Sequence, residues 1–328
     1  MLSLQTVAVV GAALIFDFIN GFHDTANAIA TSVSTRVLTP MRAVVMAAAL
    51  NFAGALVSTA VAKTIGQGIV APEAATQGVV IAALLGAIAW NLITWYWGLP
   101  SSSSHALVGG VVGAAAAYRG FGILNARGLG EIFGSLLTSP AVGFAVGLGL
   151  MVALLWLLHR AIPARVNASF RRLQLLSAAF VAFSHGTNDA QKSMGVITLA
   201  LVAGGYLGTF VVPTWVKLVC ALAMALGTAF GGWKIIHTLG MRIIRLQPIH
   251  GFAAETASAV VIQAASHLGL PVSTTHVISS AIMGVGASRR LSAVRWGVAG
   301  NIVIAWVLTP PVAAVLGAIA YYLIGRWA

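Results

Sequence analysis

The chain is short of acids and nearly without cysteine. Only six of its 328 residues are Asp or Glu, charged residues of both signs make up 7%, and there is one cysteine. Soluble globular domains carry about 25% charged residues, so that class is excluded. A single cysteine, Cys220, cannot make an intrachain disulfide or a cysteine-based metal site, and in its apolar run it reads as a packing residue. No basic flank precedes the apolar stretch 1–16, which runs directly into the polar residues Asp17 to Asn27. A cleaved secretory leader is therefore not expected, and the N-terminus reads as a retained first span.

What is present is apolar: 59% of residues are hydrophobic and the mean hydropathy is +0.96. The uncharged stretches 43–62, 74–117, 132–158, 193–216, 256–288 and 296–325 are each long enough to cross a bilayer, which takes about 20 apolar residues per helix. The chain reads as an all-α polytopic protein of the cell inner (plasma) membrane, with the lipid bilayer as its first partner. A net charge of +12 does not indicate nucleic acid, because the basic residues are scattered through short loops rather than gathered on one soluble face.

The chain also aligns with itself. Gly98-Leu99-Pro100-Ser101-Ser102-Ser103-Ser104-His105 matches Gly269-Leu270-Pro271-Val272-Ser273-Thr274-Thr275-His276 at an offset of 171. Gly113 with Gly284, Lys63 with Lys234, and Thr138-Ser139-Pro140 with Thr309-Pro310-Pro311 keep that interval. Gly21-Phe22-His23-Asp24 pairs with Gly186-Thr187-Asn188-Asp189 at 165. Ordered matches along the chain indicate a duplication, with residues 1–158 and 172–328 as repeats and 159–171 as a basic cytoplasmic linker.

Placing 36–42, 159–172, 234–250 and 288–295 in the cytoplasm puts twelve of the eighteen basic residues inside, as the positive-inside rule favours. That assignment gives about five membrane segments per half and both termini outside the cytoplasm. An odd number inverts one half against the other, an architecture of secondary transporters. The two Gly-Leu-Pro-x-Ser-x-x-His segments interrupt apolar runs and are either turns between crossing helices or tips of re-entrant hairpins. Non-helical backbone at membrane depth needs surrounding protein or a water-filled cavity.

Polar positions 17, 20, 24 and 27 follow helical spacing and form one stripe on a broken first helix. A charged side chain at bilayer depth costs several kcal/mol and faces a cavity or a partner. Asp17 and Asn20 either belong to this stripe or solvate a helix end at the interface. In the second half Asn188-Asp189 replaces His23-Asp24, and Lys192 falls where the first half has Asn27; Lys192 is either half of a structural ion pair or a positive group facing an anion or standing in for a coupling cation.

Each hydroxyl cluster follows a proline, the order of a helix start whose capping hydroxyl leaves N–H groups pointing outward. Such ends bind oxyanions. Ser102, Ser103, Ser104, Ser273, Thr274 and Thr275 could cradle a tetrahedral anion, with Thr25, Thr187, Asn188, Asp189 and Lys192 beside them. His105 and His276 are proton carriers or structural donors. Glu255 is a cation ligand or an interfacial anchor; His159, His237 and His250 read as surface residues beside basic loops; Glu73 and Glu131 fall in external loops.

These motifs resemble those of the inorganic phosphate transporter (PiT) family, bacterial low-affinity branch. Asn20 to Ala28, His185 to Asp189, and Gly269 to His276 are similar to its signatures, over a likeness running from about Asp17 to Pro311. The resemblance implies an inverted-repeat carrier, often a homodimer, that moves orthophosphate with Na⁺ or H⁺ and in the bacterial branch with a divalent cation. It further implies that Asp24, Asn27, Asn188, Asp189 and the tip hydroxyls contact phosphate or its coupling ion. The chain departs from the family at His23, where many members have Asn, and at Lys192, which replaces a second-half Asn.

The expectation is cation-coupled phosphate import by alternating access, with Asn20, His23, Asp24, Asn27, Asp189 and Glu255 handling the coupling ion and H⁺ favoured over Na⁺ because of Lys192 and His23. No cofactor, resident metal or catalytic residue is expected. Phosphate suits the aspartates better than sulfate because it retains a proton to donate. The alternatives are a sulfate or other oxyanion permease of the same fold, an intramembrane enzyme using Asp24 and Asp189 as an acid dyad, and a channel.

Overall fold

A computed structural model describes residues 2–70 and 75–325. Glu73, assigned above to an external loop, lies outside them. Regular structure among the described residues is helical, with one isolated bridge between Val70 and Leu124. The first half runs α1 (Leu4–Ser34), α2 (Pro40–Ala55), α3 (Ala60–Gly68), α4 (Gln77–Trp97), α5 (Ser103–Arg119) and α6 (Ala126–Leu157). The second runs α7 (Pro163–Ala203), α8 (Thr214–Phe230), α9 (Trp233–His237), which continues into a π turn to Arg242, α10 (Pro248–His267), α11 (Thr274–Ala287) and α12 (Trp296–Ala320). The stretch 159–171, read as a linker, is helical from Pro163 onward.

Four helices, α1, α4, α6 and α12, are long and apolar enough to cross a membrane. The bent pairs α2/α3 and α8/α9, which turn by 72° and 64°, raise the number to six. The remaining helices of the expected ten segments fail that test for different reasons. α5 and α11 have 17 and 14 residues, about 25 and 21 Å at 1.5 Å per residue, against a hydrocarbon core of about 30 Å. α7 is long but carries Asn188, Asp189, Gln191 and Lys192 in its buried middle.

The surface is apolar, and the interior mixes apolar clusters with buried charge. Leu137, Trp156, Val307 and Val315 are exposed, whereas Asp17, Asn20, His23, Asp24, Asn188, Asp189, Lys192 and Glu255 are buried. An apolar exterior suits lipid, and the enclosed polar groups must find partners or ligands inside.

The halves interlock. α1 packs on α8 and α7 on α2; α5 packs on α12 and α11 on α6. Two glycines permit the first crossings: a Cβ on Gly21 would strike the Met224 carbonyl oxygen, and one on Gly186 the Asn51 carbonyl oxygen. The first helix, which contains Gly21, was expected to be broken. It is continuous instead, because this glycine serves close approach rather than a bend. Helix prolines are accommodated locally: Pro140 cannot donate to the Leu136 carbonyl, and the Ser139 hydroxyl donates to it at 3.1 Å.

Both Gly-Leu-Pro segments take one geometry. Gly98 and Gly269 adopt φ of +66° and +70°, a left-handed conformation that glycine enters without a Cβ penalty. Leu99 N–H then donates to Thr94 O, and Leu270 N–H to Ala265 O, both at 2.9 Å. Ser102 caps α5 and Ser273 caps α11, each accepting from the N–H three residues on, at His105 and His276, at 3.2 Å.

Candidate functional site

The two tips meet. The His105 and His276 rings stack with centroids 4.5 Å apart, His276 stacks in turn on Trp306 at 4.1 Å, and the Ser104 hydroxyl donates to Val272 O at 3.2 Å. Against this junction lie the buried middles of α1 and α7. Asn27 Nδ2 donates to Thr274 Oγ1 at 3.2 Å and to Thr275 Oγ1 at 2.9 Å. Thr275 Oγ1 donates to Asp24 Oδ1 at 3.4 Å, and Thr274 Oγ1 to Asp189 Oδ2 at 3.0 Å. One threonine pair at the start of α11 thus links an aspartate from each half.

The aspartates have different neighbours. His23 Nδ1 donates to Asp24 Oδ1 at 2.6 Å, while its Nε2 lies 3.1 Å from Thr94 Oγ1. Lys192 Nζ donates to Asp189 Oδ1 at 2.5 Å; the sequence had left Lys192 between an ion pair and a substrate-facing charge, and the pair is made. His185 Nε2 stands 3.3 Å from Asp189 Oδ2 without hydrogen-bond geometry, and its Nδ1 lies 3.1 Å from Asn51 Oδ1. No resident metal site was expected, yet Asp24, His185 and Asp189 offer one ligand atom each within 4.8 Å of one another.

Several buried polar atoms at this core lack a partner among the described residues: both amide atoms of Asn20, Asn27 Oδ1, Asn188 Oδ1, and the hydroxyls of Ser103 and Ser193. An unpaired buried polar group costs about 1–3 kcal/mol. Their concentration beside two aspartates is what a site built for a polar solute and its ions requires. Asn188 Nδ2 donates to Ser266 Oγ at 2.9 Å, tying it to the end of α10.

Asp17 and Asn20 do not solvate a helix end. Both are fully buried, and the Asp17 carboxylate faces the Ser193 hydroxyl and the Cys220 thiol without a regular hydrogen bond to either. Thr25 and Thr187 point away from the core. Thr25 Oγ1 donates to Gly21 O at 2.7 Å and Thr228 O at 3.3 Å, and Thr187 Oγ1 to Phe183 O at 2.9 Å, so both hydroxyls serve helix backbone.

Glu255 belongs to a second polar cluster and is no interfacial anchor. It is fully buried and accepts from Thr31 Oγ1 at 2.5 Å, Gln174 Nε2 at 3.0 Å and Ser177 Oγ at 2.5 Å. Sequence reasoning passed over Gln174, Ser177, Thr31, Thr94 and Asn51. The only available signal was an isolated polar residue in an apolar run, which is weak without knowing what it faces. His250, read as a surface residue, is buried at the start of α10.

An apolar-surfaced helical bundle enclosing charged and hydroxyl groups at the meeting of two helix starts defines a polytopic membrane protein that handles a polar solute. A family model described as the Phosphate transporter family matches residues 20–317, and the chain belongs to that family. It is 52% identical over 318 residues to a "Probable low-affinity inorganic phosphate transporter" of Rhizobium meliloti (strain 1021), covering 96% of this chain and 95% of the relative. It is 51% identical over 327 residues to the protein of the same name from Bacillus subtilis (strain 168), covering 99% and 98%. Among solved structures, one titled "The sodium-dependent phosphate transporter" superposes with a TM-score of 0.91 at 27% identity, covering 99% of this chain and 100% of that one. These relatives are named as transporters, and the reading of this chain as a non-enzyme agrees with them.

Proposed function

We propose that the chain carries inorganic phosphate into the cell by cation-coupled alternating access, with the anion held between the two tips. The observation that carries this reading is the Asp24–Thr275–Asn27–Thr274–Asp189 chain of contacts, in which repeated elements of both halves converge. The first turns of α5 and α11 supply N–H groups and hydroxyls suited to phosphate oxygens. A protonated phosphate can donate to an aspartate, whereas sulfate cannot, so the sulfate alternative ranks below it.

The halves are read as inverted repeats of five segments each. The reciprocal packing of α1 on α8 and α7 on α2 supports this reading. In oppositely oriented halves, tips at the membrane surface would lie on opposite faces, about 30 Å apart; stacked rings at 4.5 Å favour re-entrant tips meeting at mid-depth. Both termini are then extracytoplasmic, in a plasma-membrane protein that we read as a homodimer, a state that cross-linking in vesicles would test.

The proton was favoured by the sequence, but we propose Na⁺ as the coupling ion. The solved relative is titled sodium-dependent, and the unpartnered Asn20 and Asn27 oxygens lie on the same helix as Asp24, giving a hard cation oxygen ligands. Lys192 already neutralises Asp189, leaving the first-half aspartate to the mobile ion. The Asp24, His185 and Asp189 cluster suits a divalent cation carried with phosphate.

Uptake of labelled phosphate into proteoliposomes tests these points. It should saturate, exclude sulfate, fall when choline replaces Na⁺ and survive collapse of the pH gradient. Loss with the pH gradient alone would return the proton as coupling ion, and uptake left intact by both Asp24→Asn and Asp189→Asn would refute the site.

A further inference from the structure

A cavity of about 580 Å³ opens where α10 begins and α11 ends, remote from the aspartates, and is lined by Arg245, Arg289, Arg290, Arg295, Ser292 and His250. Its four arginines come from the segment before α10, the turn after α11 and the residue before α12. No carboxylate lines it. Among the described acids, Asp17, Asp24, Asp189 and Glu255 are buried elsewhere, and Glu131 pairs with Arg127.

The fold holds these like charges in place: Arg295 N–H donates to Ile243 O at 3.0 Å, closing the loop between α11 and α12 onto the segment before α10. The end of α11 attracts cations, but a helix terminus carries only about half a negative charge, too little to balance four arginines. The concave shape concentrates the field of these groups on one volume.

His250 adds a buried polar group to the wall. It is 6% exposed, its Nδ1 accepts the Gln247 N–H at 3.1 Å, and it lies close enough to Arg289 to feel its charge. With Nδ1 accepting, the ring hydrogen is on Nε2. The ring is also hydrogen-bonded to the Arg245 backbone, so a buried imidazole tied to both Gln247 and Arg245 lines the cavity and fixes one of its arginine-bearing segments.

We infer that this cavity binds a phosphate-bearing anion, either an anionic phospholipid headgroup or free inorganic phosphate, at a site separate from the one between the tips. Arginine forks match phosphate oxygens two at a time, and basic pockets at the membrane surface take lipid headgroups. This inference does not depend on the transport reading.

The full chain in phosphatidylcholine nanodiscs tests it, with amide hydrogen exchange read over residues 285–297. Adding inorganic phosphate, or replacing part of the lipid with phosphatidylglycerol, should slow exchange there by at least about threefold. Protection by phosphate alone identifies the free anion, and protection by phosphatidylglycerol alone identifies the headgroup. Arg289→Gln/Arg295→Gln, a change at exposed positions, should abolish that protection. Absence of protection from both probes, or equal protection in the variant, would overturn the inference.

Discussion

Leu84 and Glu255 stand 171 positions apart in the chain, the interval that separates the two tips, and they are buried in opposite surroundings. Leu84 lies with Ile65, Val80, Leu107 and Val196 around an apolar cavity of about 20 Å³. Glu255 lies among Thr31, Gln174 and Ser177, which donate three hydrogen bonds to it. The same contrast recurs at Asn27 and Lys192. The two Gly-Leu-Pro turns share one geometry while the buried charge at these paired positions differs, because an apolar cluster and a fully bonded polar cluster are both stable ways to fill an interior.

The largest effect expected from breaking this contrast is at the aspartates. Asp189→Ala strands the buried Lys192 ammonium and should cost about 3–5 kcal/mol, whereas Asp24→Ala removes hydrogen bonds to His23 and Thr275 and should cost about 1–2 kcal/mol. Denaturant unfolding in detergent would measure both, and equal losses would erase the distinction. Next comes Glu255→Leu, which imitates the first half and should cost about 3 kcal/mol by leaving buried donors unpaired. Adding Thr31→Val, Gln174→Leu and Ser177→Ala should recover most of that loss, since removing both partners of a buried bond is nearly neutral.

Smaller effects should be shared by the halves. Gly21→Ala and Gly186→Ala each push a Cβ into facing backbone and should each lower stability by about 2 kcal/mol; a large difference would show that the crossings are not equivalent. Lys63→Ala and Lys234→Ala sit last. Lys234 Nζ donates to Tyr96 O in an exposed position, and neither change should exceed about 0.5 kcal/mol.

Much of the central cluster was legible because its residues are expensive where they stand. Asp24, Asn27, Asp189 and Lys192 are conspicuous in apolar sequence, and proline followed by hydroxyls announces the two helix starts. That the Thr25 and Thr187 hydroxyls donate to helix backbone was not legible, because neighbouring residues on a helix point about 100° apart and composition does not say which face looks inward. Gln174 and Ser177 were missed for the converse reason: ordinary polar residues become a carboxylate's partners only through the packing of α7 on α10.

By itself the sequence determined that this is a helical membrane protein with four of its few acids, Asp17, Asp24, Asp189 and Glu255, set in its interior, because apolar length and the cost of buried charge are properties of local composition. How Asp24 and Asp189 are joined, and that Glu255 stands apart from them, was decided by tertiary structure alone. Asp24 and Asp189 are joined through Thr274 and Thr275, from a helix start 85 and more residues away in the chain. Glu255, equally buried, is satisfied elsewhere. Contacts across such separations depend on how helices cross, and those crossings are set by the shapes of facing surfaces rather than by any one segment.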